Sequence, residues 1–443
     1  MNKKLKKILI VLFWIVVWGL IALAIANPII LSGPIDVGKS LYENITSTDF
    51  WMTILLCFVR IGAGFIIACI LGCSLAYLSY KFQTFNDFVR PLIQLMKSAP
   101  IVCFVVLLLV WVGVYFVDIV TVIIAVVPVY YFAIYEACQN RNKDISNMLK
   151  VYKVPSITKW RIFEWPSALP YFNQATQTGI GLSWKSGITA QMIGAVGFTI
   201  GEKVYEAKLY LDSAQLLLWM FVVILLGWVC EKIIIAIINA LTKSGQKKTL
   251  KVKHAETKTE VKDDSMIVVG NINKTFNNNK VLDNVTYKID SGDRFALTGP
   301  TGSGKTTLIN IILGLEDADN GEIFVNEYEP RTFSAVFQTN TLIDDLSVKN
   351  NVEVITNNKI IGGLVDENLI ANDLSGGMKR CAEIERAISA NSQIVVMDEP
   401  FAGLDDKTKN KAIAYIDKNL AGRTLILITH DEEDAKKLKC LIN

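Results

Sequence analysis

Hydrophobic positions are concentrated in the first half of the chain, where long apolar runs alternate with short polar segments. Each run approaches the roughly 20 residues that a helix needs to cross ~30 Å of hydrocarbon. The runs lie at about 8–26, 53–80, 99–117, 119–135, 176–200 and 214–241. This pattern predicts an all-α polytopic membrane domain of about six transmembrane helices over residues 1–241.

The second half follows a different pattern. Residues 242–265 are charged, lack aromatic side chains and show no apolar period, which predicts a cytoplasmic linker. Beyond it, residues 266–443 interleave short Val, Ile and Leu runs with helical stretches. Such interleaving is typical of an α/β domain with a buried, mostly parallel sheet.

Lysine and arginine flank the apolar runs and predict their orientation. They cluster before the first run, after the fourth and after the sixth. Because cytoplasmic loops carry an excess of these residues, we expect a multi-pass protein of the cell membrane, surrounded by lipid, with both termini in the cytoplasm. The first run is too long for a cleaved signal peptide and is predicted to be an uncleaved anchor. A net charge of only +3, without a basic face, argues against a nucleic-acid partner.

Two apolar runs carry residues of particular interest. In the second run, small residues recur every four positions at Gly64, Ala68, Gly72 and Ala76, which predicts close helix packing. The fifth run places polar side chains at membrane depth, where they are costly unless they face protein or water. These are Gln177, Ser183, Lys185 and Gln191, and we expect this helix to line a pathway. An equal alternative is that Lys185 reaches the membrane surface or pairs with a neighbouring helix.

The stretch "GPTGSGKTT" follows the strand-like "RFALT" and precedes the apolar "LINIILGL". It matches G-x-x-x-x-G-K-[ST], in which glycines let backbone N–H groups surround phosphate oxygens at a helix N-terminus. Lys305 would reach the β- and γ-phosphates, and Thr306 would hold Mg²⁺. The candidate nucleotide-binding residues of this loop are Gly299, Pro300, Thr301, Gly302, Ser303, Gly304, Lys305, Thr306 and Thr307.

A second nucleotide motif, "IVVMDE", is an apolar strand that ends in two carboxylates. Asp398 is predicted to serve the Mg²⁺ shell, through a water molecule. Glu399 is predicted to accept a proton from the water that attacks the phosphate.

These motifs, together with "VFQ", "LSGGM", "GLDD" and "ITHD", resemble the ATP-binding-cassette family in type and order across residues 266–443. The resemblance implies that Phe276 stacks on adenine and that Asp405 helps to bind the nucleotide. It implies that Gln338 senses Mg²⁺, as a metal ligand, and the γ-phosphate, and that His430 contacts the γ-phosphate. Glu399, His430 and Gln338 would then be the catalytic residues, with ATP and Mg²⁺ as cofactors.

In this family the signature "LSGGM" closes on ATP held by a second cassette. The resemblance therefore implies that Ser375, Gly376 and Gly377 act across a homodimer with two shared sites. Two features depart from the family pattern. Met378 replaces the usual Gln, and the stretch from Gln338 to Leu374 is short, which implies a reduced helical subdomain.

The membrane half resembles the permeases of the nitrate, sulfonate and taurine importer family, in "RIGAGF", "MKSAPIVCFVVLLLVWVG" and "GLSWKSGITAQMIGAVGF". The stretch from "EAC" to "LP" corresponds to the cytoplasmic loop that docks such permeases on the cassette. Asn142 replaces its usual Gly, and Gln191 stands where many relatives have Glu. The resemblance implies a type I importer of a small, anionic or heteroaromatic solute that works with an extracellular substrate-binding protein or lipoprotein.

Two alternatives remain open. The order of membrane domain then cassette also occurs in exporter half-transporters, although the short membrane half and the docking loop argue against that class. The other alternative is an ATP-gated regulator that transports nothing, against which the polar fifth run argues weakly. The transported solute is not specified by the sequence.

Overall fold

The computed structural model describes residues 3–249, 267–276, 279–300, 302–325 and 332–442. The chain divides into two compact units, each made of two separate stretches of sequence. The helical unit consists of Met1–Arg141 and Pro166–Leu241, and the sheet unit consists of Asn142–Trp165 and Thr242–Asn443.

The helices of the first part of the chain are α1 (Lys3–Ile25), α2 (Pro34–Ile45), α3 (Thr48–Lys81), α4 (Gln83–Ser98), α5 (Ile101–Trp111), α6 (Val117–Gln139), α7 (Lys143–Val151), α8 (Ser156–Lys159), α9 (Trp165–Gly194), α10 (Ile200–Leu209) and α11 (Ser213–Thr249). A π-helical turn, Trp160–Glu164, leads from α8 into α9. Helix α11 continues into the predicted linker, so the residues there up to Thr249 are helical. Residues 250–266 lie outside the described part of the chain.

By length and composition, four helices of the described chain could cross a membrane, namely α1, α3, α6 and α11. A fifth span results if α4 and α5, which are bent by 107°, count as one. The prediction of a continuous third span over 99–117 is wrong, because α5 has 11 residues. At ~1.5 Å per residue it covers only about half of the hydrocarbon. Ala99 precedes Pro100 and adopts an extended conformation, which ends α4 at Ser98.

Helices α3 and α6 pack closely, as the small-residue stripe predicts. A Cβ atom added at Gly64 would lie 2.9 Å from the carbonyl oxygen of Ile119, and one at Gly72 would lie 2.7 Å from Cβ of Tyr130. Both distances are too short for a real side chain. The glycines therefore allow the two backbones to approach each other.

Helix α9 carries the polar residues that were expected to line a pathway, and the expectation is wrong for two of them. Ser183 and Gln191 are buried. The Ser183 hydroxyl donates to the carbonyl of Ile180, and the Gln191 amide bonds Asp118 and the backbone N–H of Gly201. Gln177 and Lys185 are exposed in the single chain.

The strands of the sheet unit are β1 (Ile267–Phe276), β2 (Asn279–Ile289), β3 (Arg294–Leu297), β4 (Asn320–Val325), β5 (Phe333–Val336), β6 (Ile394–Asp398), β7 (Thr424–Ile428) and β8 (Leu441–Ile442). Its later helices are α12 (Lys305–Ile312), α13 (Val348–Thr356), α14 (Gly376–Ser389), α15 (Asp406–Asn419) and α16 (Glu432–Lys437). A parallel sheet of order β5-β6-β7-β3-β8 stands beside an antiparallel sheet of order β2-β1-β4. The predicted α/β fold is confirmed.

The central strands β6 and β7 are buried throughout. Residues of α12 pack on one face of the parallel sheet, and residues of α14 and α15 pack on the other. Burial on both faces explains why these strands read as continuous apolar runs in the sequence. Because the strands are parallel, the chain leaves β3, β6 and β7 at the same edge, where the predicted nucleotide motifs lie.

The segment Asn142–Trp165 packs on the sheet unit, although it is flanked in sequence by the helical unit. Its apolar residues Met148, Leu149, Tyr152, Ile162 and Phe163 share one buried cluster with Ile343, Leu346, Ile355 and Ala390. The Tyr152 hydroxyl donates to the carbonyl of Ala335 at 3.0 Å and accepts from its N–H at 3.3 Å. Ala335 lies on β5, the edge strand, so the hydroxyl satisfies backbone groups that have no neighbouring strand.

Candidate nucleotide-binding site

The phosphate loop connects β3 to α12 and depends on its glycines. Gly299, Gly302 and Gly304 have φ angles of +138°, +86° and +84°, which side chains disfavour. At Gly304 a Cβ atom would also lie 2.7 Å from the carbonyl oxygen of Val281. The loop therefore holds its backbone N–H groups at the start of α12 in a conformation that few other residues could adopt. Thr301 lies outside the described residues.

The Lys305 ammonium group is folded back onto its own loop. It donates to the carbonyls of Gly299 and Pro300, both at 2.8 Å, and to the Ser303 hydroxyl at 3.2 Å. No carboxylate of the described chain pairs with it. A phosphate oxygen is a stronger acceptor than a neutral carbonyl, because the hydrogen bond is charge-assisted. Lys305 is thus available for an anionic ligand.

Thr306 and Asp398 meet as the two nucleotide motifs predict. The Thr306 hydroxyl donates to Oδ2 of Asp398 at 3.0 Å. The other oxygen, Oδ1, is buried and has no hydrogen-bond partner in the described chain. Burial raises the pKa of the Asp398 carboxyl, and the Thr306 hydrogen bond opposes that shift. A buried carboxylate with a free oxygen beside a hydroxyl fits the oxygen ligands that Mg²⁺ prefers. Within the described residues, no cluster of three His, Cys, Asp or Glu side chains offers another metal site.

Glu399 and His430 form a close pair behind the phosphate loop. Nε2 of His430 lies 2.6 Å from Oε1 of Glu399, and Nδ1 lies 3.1 Å from the carbonyl oxygen of Gly299. Nδ1 is placed to donate to the carbonyl oxygen of Gly299, and Nε2 faces the Glu399 carboxylate. Glu399 has a φ angle of +48°, a strained conformation for a residue with a side chain.

Gln338 follows β5 and is exposed. It lines a cavity of about 140 Å³ together with Thr306, Asp398 and, from the segment Asn142–Trp165, Asp144. The Thr339 hydroxyl donates to Asp144 at 2.9 Å. The three predicted metal-binding residues therefore face one space.

Phe276 ends β1, in the antiparallel sheet, and is 42% exposed. The Lys274 ammonium lies 5.1 Å from the centroid of its ring. The exposed ring surface is suited to stacking on an adenine base.

The signature residues begin α14. The Ser375 hydroxyl caps this helix by accepting from the N–H of Met378 at 3.4 Å, and Gly376 and Gly377 form its first turn. In the described chain, no hydrogen bond or ion pair joins this stretch to the phosphate loop. Asp405 caps α15 by accepting from the N–H of Thr408, and hydrogen bonds with Thr408 lower the pKa of this carboxyl.

The sequence interpretation missed a buried charged network on α14. Arg380 donates to the carbonyl of Gln338 at 2.6 Å and to Glu383 at 3.1 Å. Glu383 accepts from the N–H of Thr341 at 2.6 Å, and Arg386 donates to the hydroxyl of Thr341. The network connects the signature helix to the segment that carries Gln338. The three charged residues recur every three positions on one helix, a signal that was present in the sequence.

A phosphate loop on a parallel sheet, joined to a domain of long apolar helices, defines a P-loop ATPase fused to a membrane domain. Residues 282–402 match the family "ABC transporter". Residues 64–244 match the family "Binding-protein-dependent transport system inner membrane component". The chain belongs to the ABC transporters, as a permease domain and an ATPase domain fused in one polypeptide.

The similarity to curated ATP-binding proteins covers about two fifths of the chain. A glucose import ATP-binding protein from Saccharolobus solfataricus is 31% identical over 38% of this chain and 57% of its own length. A sulfate/thiosulfate import ATP-binding protein from Rhodopseudomonas palustris is 34% identical, with the same two coverages. A spermidine/putrescine import ATP-binding protein from Legionella pneumophila is 34% identical over 38% of this chain and 54% of its own. The chain thus spans a little over half the length of these relatives.

Among solved structures, a dimeric bacterial ABC transporter cassette is 28% identical. It covers 39% of this chain and 90% of its own, with a TM-score of 0.34.

Proposed function

We propose that the chain is an ATP-driven importer of a small solute, working as a homodimer with an extracellular substrate-binding protein or lipoprotein. One observation carries the proposal. A permease domain that matches the inner membrane component of binding-protein-dependent systems lies on the same chain as the ATP site. The names of the three relatives described above all refer to import.

ATP hydrolysis by this site follows from its side chains. Lys305 and the N–H groups at the start of α12 would hold the phosphates. Thr306, Asp398 and Gln338 would hold Mg²⁺, which supplies positive charge against the phosphate oxygens when it is bound. Glu399 would accept a proton from the attacking water, and this role requires that its contact with His430 opens. His430 would then be free to contact the γ-phosphate.

The signature residues would complete the site of the partner chain. Ser375 and Gly376 are exposed. In the described chain, no hydrogen bond joins them to the phosphate loop of the same chain. The γ-phosphate would be held from both sides, by Lys305 of one chain and by Ser375 of the other, before Glu399 directs water in line. The homodimer would contain two such shared sites.

Mixed dimers test the shared site. If one chain carries Lys305→Ala and the partner carries Ser375→Arg, both lesions fall in the same shared site and the other site stays intact. If one chain carries both substitutions, each site is damaged once. We expect one trapped nucleotide per dimer in the first arrangement and none in the second. Trapping only in the second arrangement would contradict sharing between chains.

Uptake measurements test import. Inside-out membrane vesicles expose the ATP sites to the medium and enclose the face that would bind the substrate-binding protein. An importer should therefore move labelled solute from the lumen to the medium, and only when ATP is in the medium and the binding protein is in the lumen. Right-side-out vesicles loaded with ATP should accumulate the labelled solute. ATP-driven movement in the reverse direction would indicate an exporter. ATP hydrolysis without movement of solute would indicate the regulator.

A further inference from the structure

The helical unit contains a cavity of about 590 Å³ between α4, α5, α6 and α9. Small-molecule sites usually enclose about 300–1,000 Å³. Along α6 the lining residues recur at helical spacing from Ala125 to Glu136, and along α9 they run from Tyr171 to Leu182. The cavity therefore follows about three turns of each helix and is formed by one unit of one chain.

Two irregularities of the helices occur at this cavity. The break between α4 and α5 places Ala99, in extended conformation, on its wall. Pro128, inside α6, also lines it. A proline has no N–H to donate, so the carbonyl of Ile124, four residues earlier, lacks its helical partner. In a membrane, irregular backbone is tolerated where it is covered by protein or faces a water-filled space. Both irregularities therefore occur where the helical unit leaves open space.

Charges of opposite sign line the same cavity. The Lys97 ammonium lies 5.0 Å from the ring centroid of Phe132, and no carboxylate of the described chain forms an ion pair with it. Glu136 likewise has no ion-pair partner among the described residues. Gln174 and Thr178, one turn apart on α9, add an amide and a hydroxyl. Lys185, the cation that the sequence suggested, is not part of this lining.

We propose that this cavity binds a small zwitterionic solute with a partly apolar body. Its anionic group would pair with Lys97 and its cationic group with Glu136. Gln174 and Thr178 would bond its polar atoms, and Phe132 would contact its apolar part. A purely anionic solute would face Glu136 and a purely cationic solute would face Lys97, so each leaves one charge unpaired. This inference rests on the proposed function in one respect, namely that the solute bound in the cavity is the solute that is transported.

Binding to the purified full chain in detergent tests the site directly. The protein is dialysed to equilibrium against a defined mixture of taurine, glycine betaine and the twenty common amino acids, with sulfate, putrescine and glucose as comparators. Mass spectrometry then measures which solutes the protein retains. Neither ATP hydrolysis nor a binding protein is needed, so failure of this experiment is distinct from failure of import.

Three variants change the cavity in different ways. Lys97→Met and Glu136→Gln each remove one charge, and Thr178→Trp fills the space without changing charge. Lys81→Met is the matched control for the lysine, because the Lys81 ammonium also lies over an aromatic ring, at 5.4 Å from Phe82, but outside the cavity. Glu231→Gln is the control for the carboxylate, since Glu231 is on α11 and pairs with Lys232. The thermal unfolding of each variant, compared with that of the unaltered chain, checks that the helical unit is folded.

We expect retention of at least one zwitterion above all three comparators. Retention should fall by about tenfold or more in Lys97→Met and Glu136→Gln, because each leaves one charged group of the solute unpaired. It should fall by a similar factor in Thr178→Trp, because the larger side chain occupies the space of the solute. It should be unchanged in the two controls. The proposal is overturned if no zwitterion is retained, if sulfate, putrescine or glucose is retained as well as the zwitterions, or if folded cavity variants bind like the unaltered chain.

Discussion

The buried network around Asp118 in the helical unit and the ligand-facing residues Lys305, Gln338 and Ser375 of the ATP site are held in opposite ways. Asp118 on α6 is fully buried and accepts two hydrogen bonds from Arg60 on α3, at 2.8 and 2.6 Å, and one from Gln191 on α9 at 2.9 Å. In the ATP site, by contrast, Gln338 and Ser375 are exposed and Lys305 bonds only to its own loop.

The difference follows from the two surroundings. Hydrocarbon offers no hydrogen-bond partners, so a charge placed among the helices must find them within the protein. Residues that bind a ligand must instead leave their hydrogen-bonding capacity free until the ligand arrives. Lesions in the helical network should therefore reduce stability, whereas lesions in the ATP site should reduce activity and leave the fold intact.

The largest expected effect is on catalysis. Glu399→Gln keeps the shape of the side chain but cannot take a proton from water, so ATP hydrolysis should fall by about 10²–10⁴-fold. ATP binding and the unfolding temperature should stay unchanged. Turnover and nucleotide binding are measured on the same preparation, with Glu432→Gln as the exposed control. Near-normal hydrolysis would remove Glu399 from the role of base.

Asp118→Ala leaves the Arg60 guanidinium partly buried and without its carboxylate. Removing one partner of a buried ion pair typically costs about 3–5 kcal/mol. We expect a large drop in thermal stability of the purified chain, or loss of the folded protein, while Asp49→Ala on the exposed start of α3 should have little effect. If the Asp118 variant is as stable as the unaltered chain but transports poorly, the comparison between the two regions is wrong.

A smaller loss is expected for Tyr152→Phe. The substitution leaves the buried N–H and carbonyl groups of Ala335 without the hydroxyl, which costs about 1–3 kcal/mol. Chemical unfolding of the full chain measures it. Tyr287→Phe provides the control, because the Tyr287 ring packs on Phe295 and its hydroxyl has no hydrogen bond in the described chain. Equal stability of the two variants would show that water satisfies Ala335.

The smallest effect should have the opposite sign. Burial raises the pKa of Asp398, so its neutral form favours folding. That contribution is fully present below the unfolded pKa and is lost as pH rises through the raised folded pKa. Above the raised folded pKa the buried charge destabilises the fold, and there Asp398→Asn should raise the unfolding temperature of the nucleotide-free protein by a few degrees. The gain should shrink as pH falls. A variant that is less stable at neutral pH would contradict this reasoning.

The sequence alone was sufficient to predict those parts of the site whose residues are contiguous along the chain. The phosphate loop requires only its glycines, Lys305 and Thr306, and the α/β fold follows from the apolar strands. The contact partners of Gln191 could not be predicted, because Asp118 and Gly201 meet it only after α6, α9 and α10 have packed. The predicted third span over 99–117 was too long because the apolar run continues past Trp111, where α5 ends, into the turn before α6.

The position of the segment Asn142–Trp165 has a consequence for synthesis of the protein. Its buried partners include Ile343, Ile355 and Ala390, which the ribosome adds on the order of 200 residues later. At the usual translation rate of ~5–20 residues per second, the residues that cover Met148, Leu149 and Phe163 are synthesised about 10–40 s after them. During that interval the nascent chain presents an apolar segment that lacks its buried partners. Until translation has passed β6, this segment is an apolar surface of the kind that makes incomplete chains prone to aggregation.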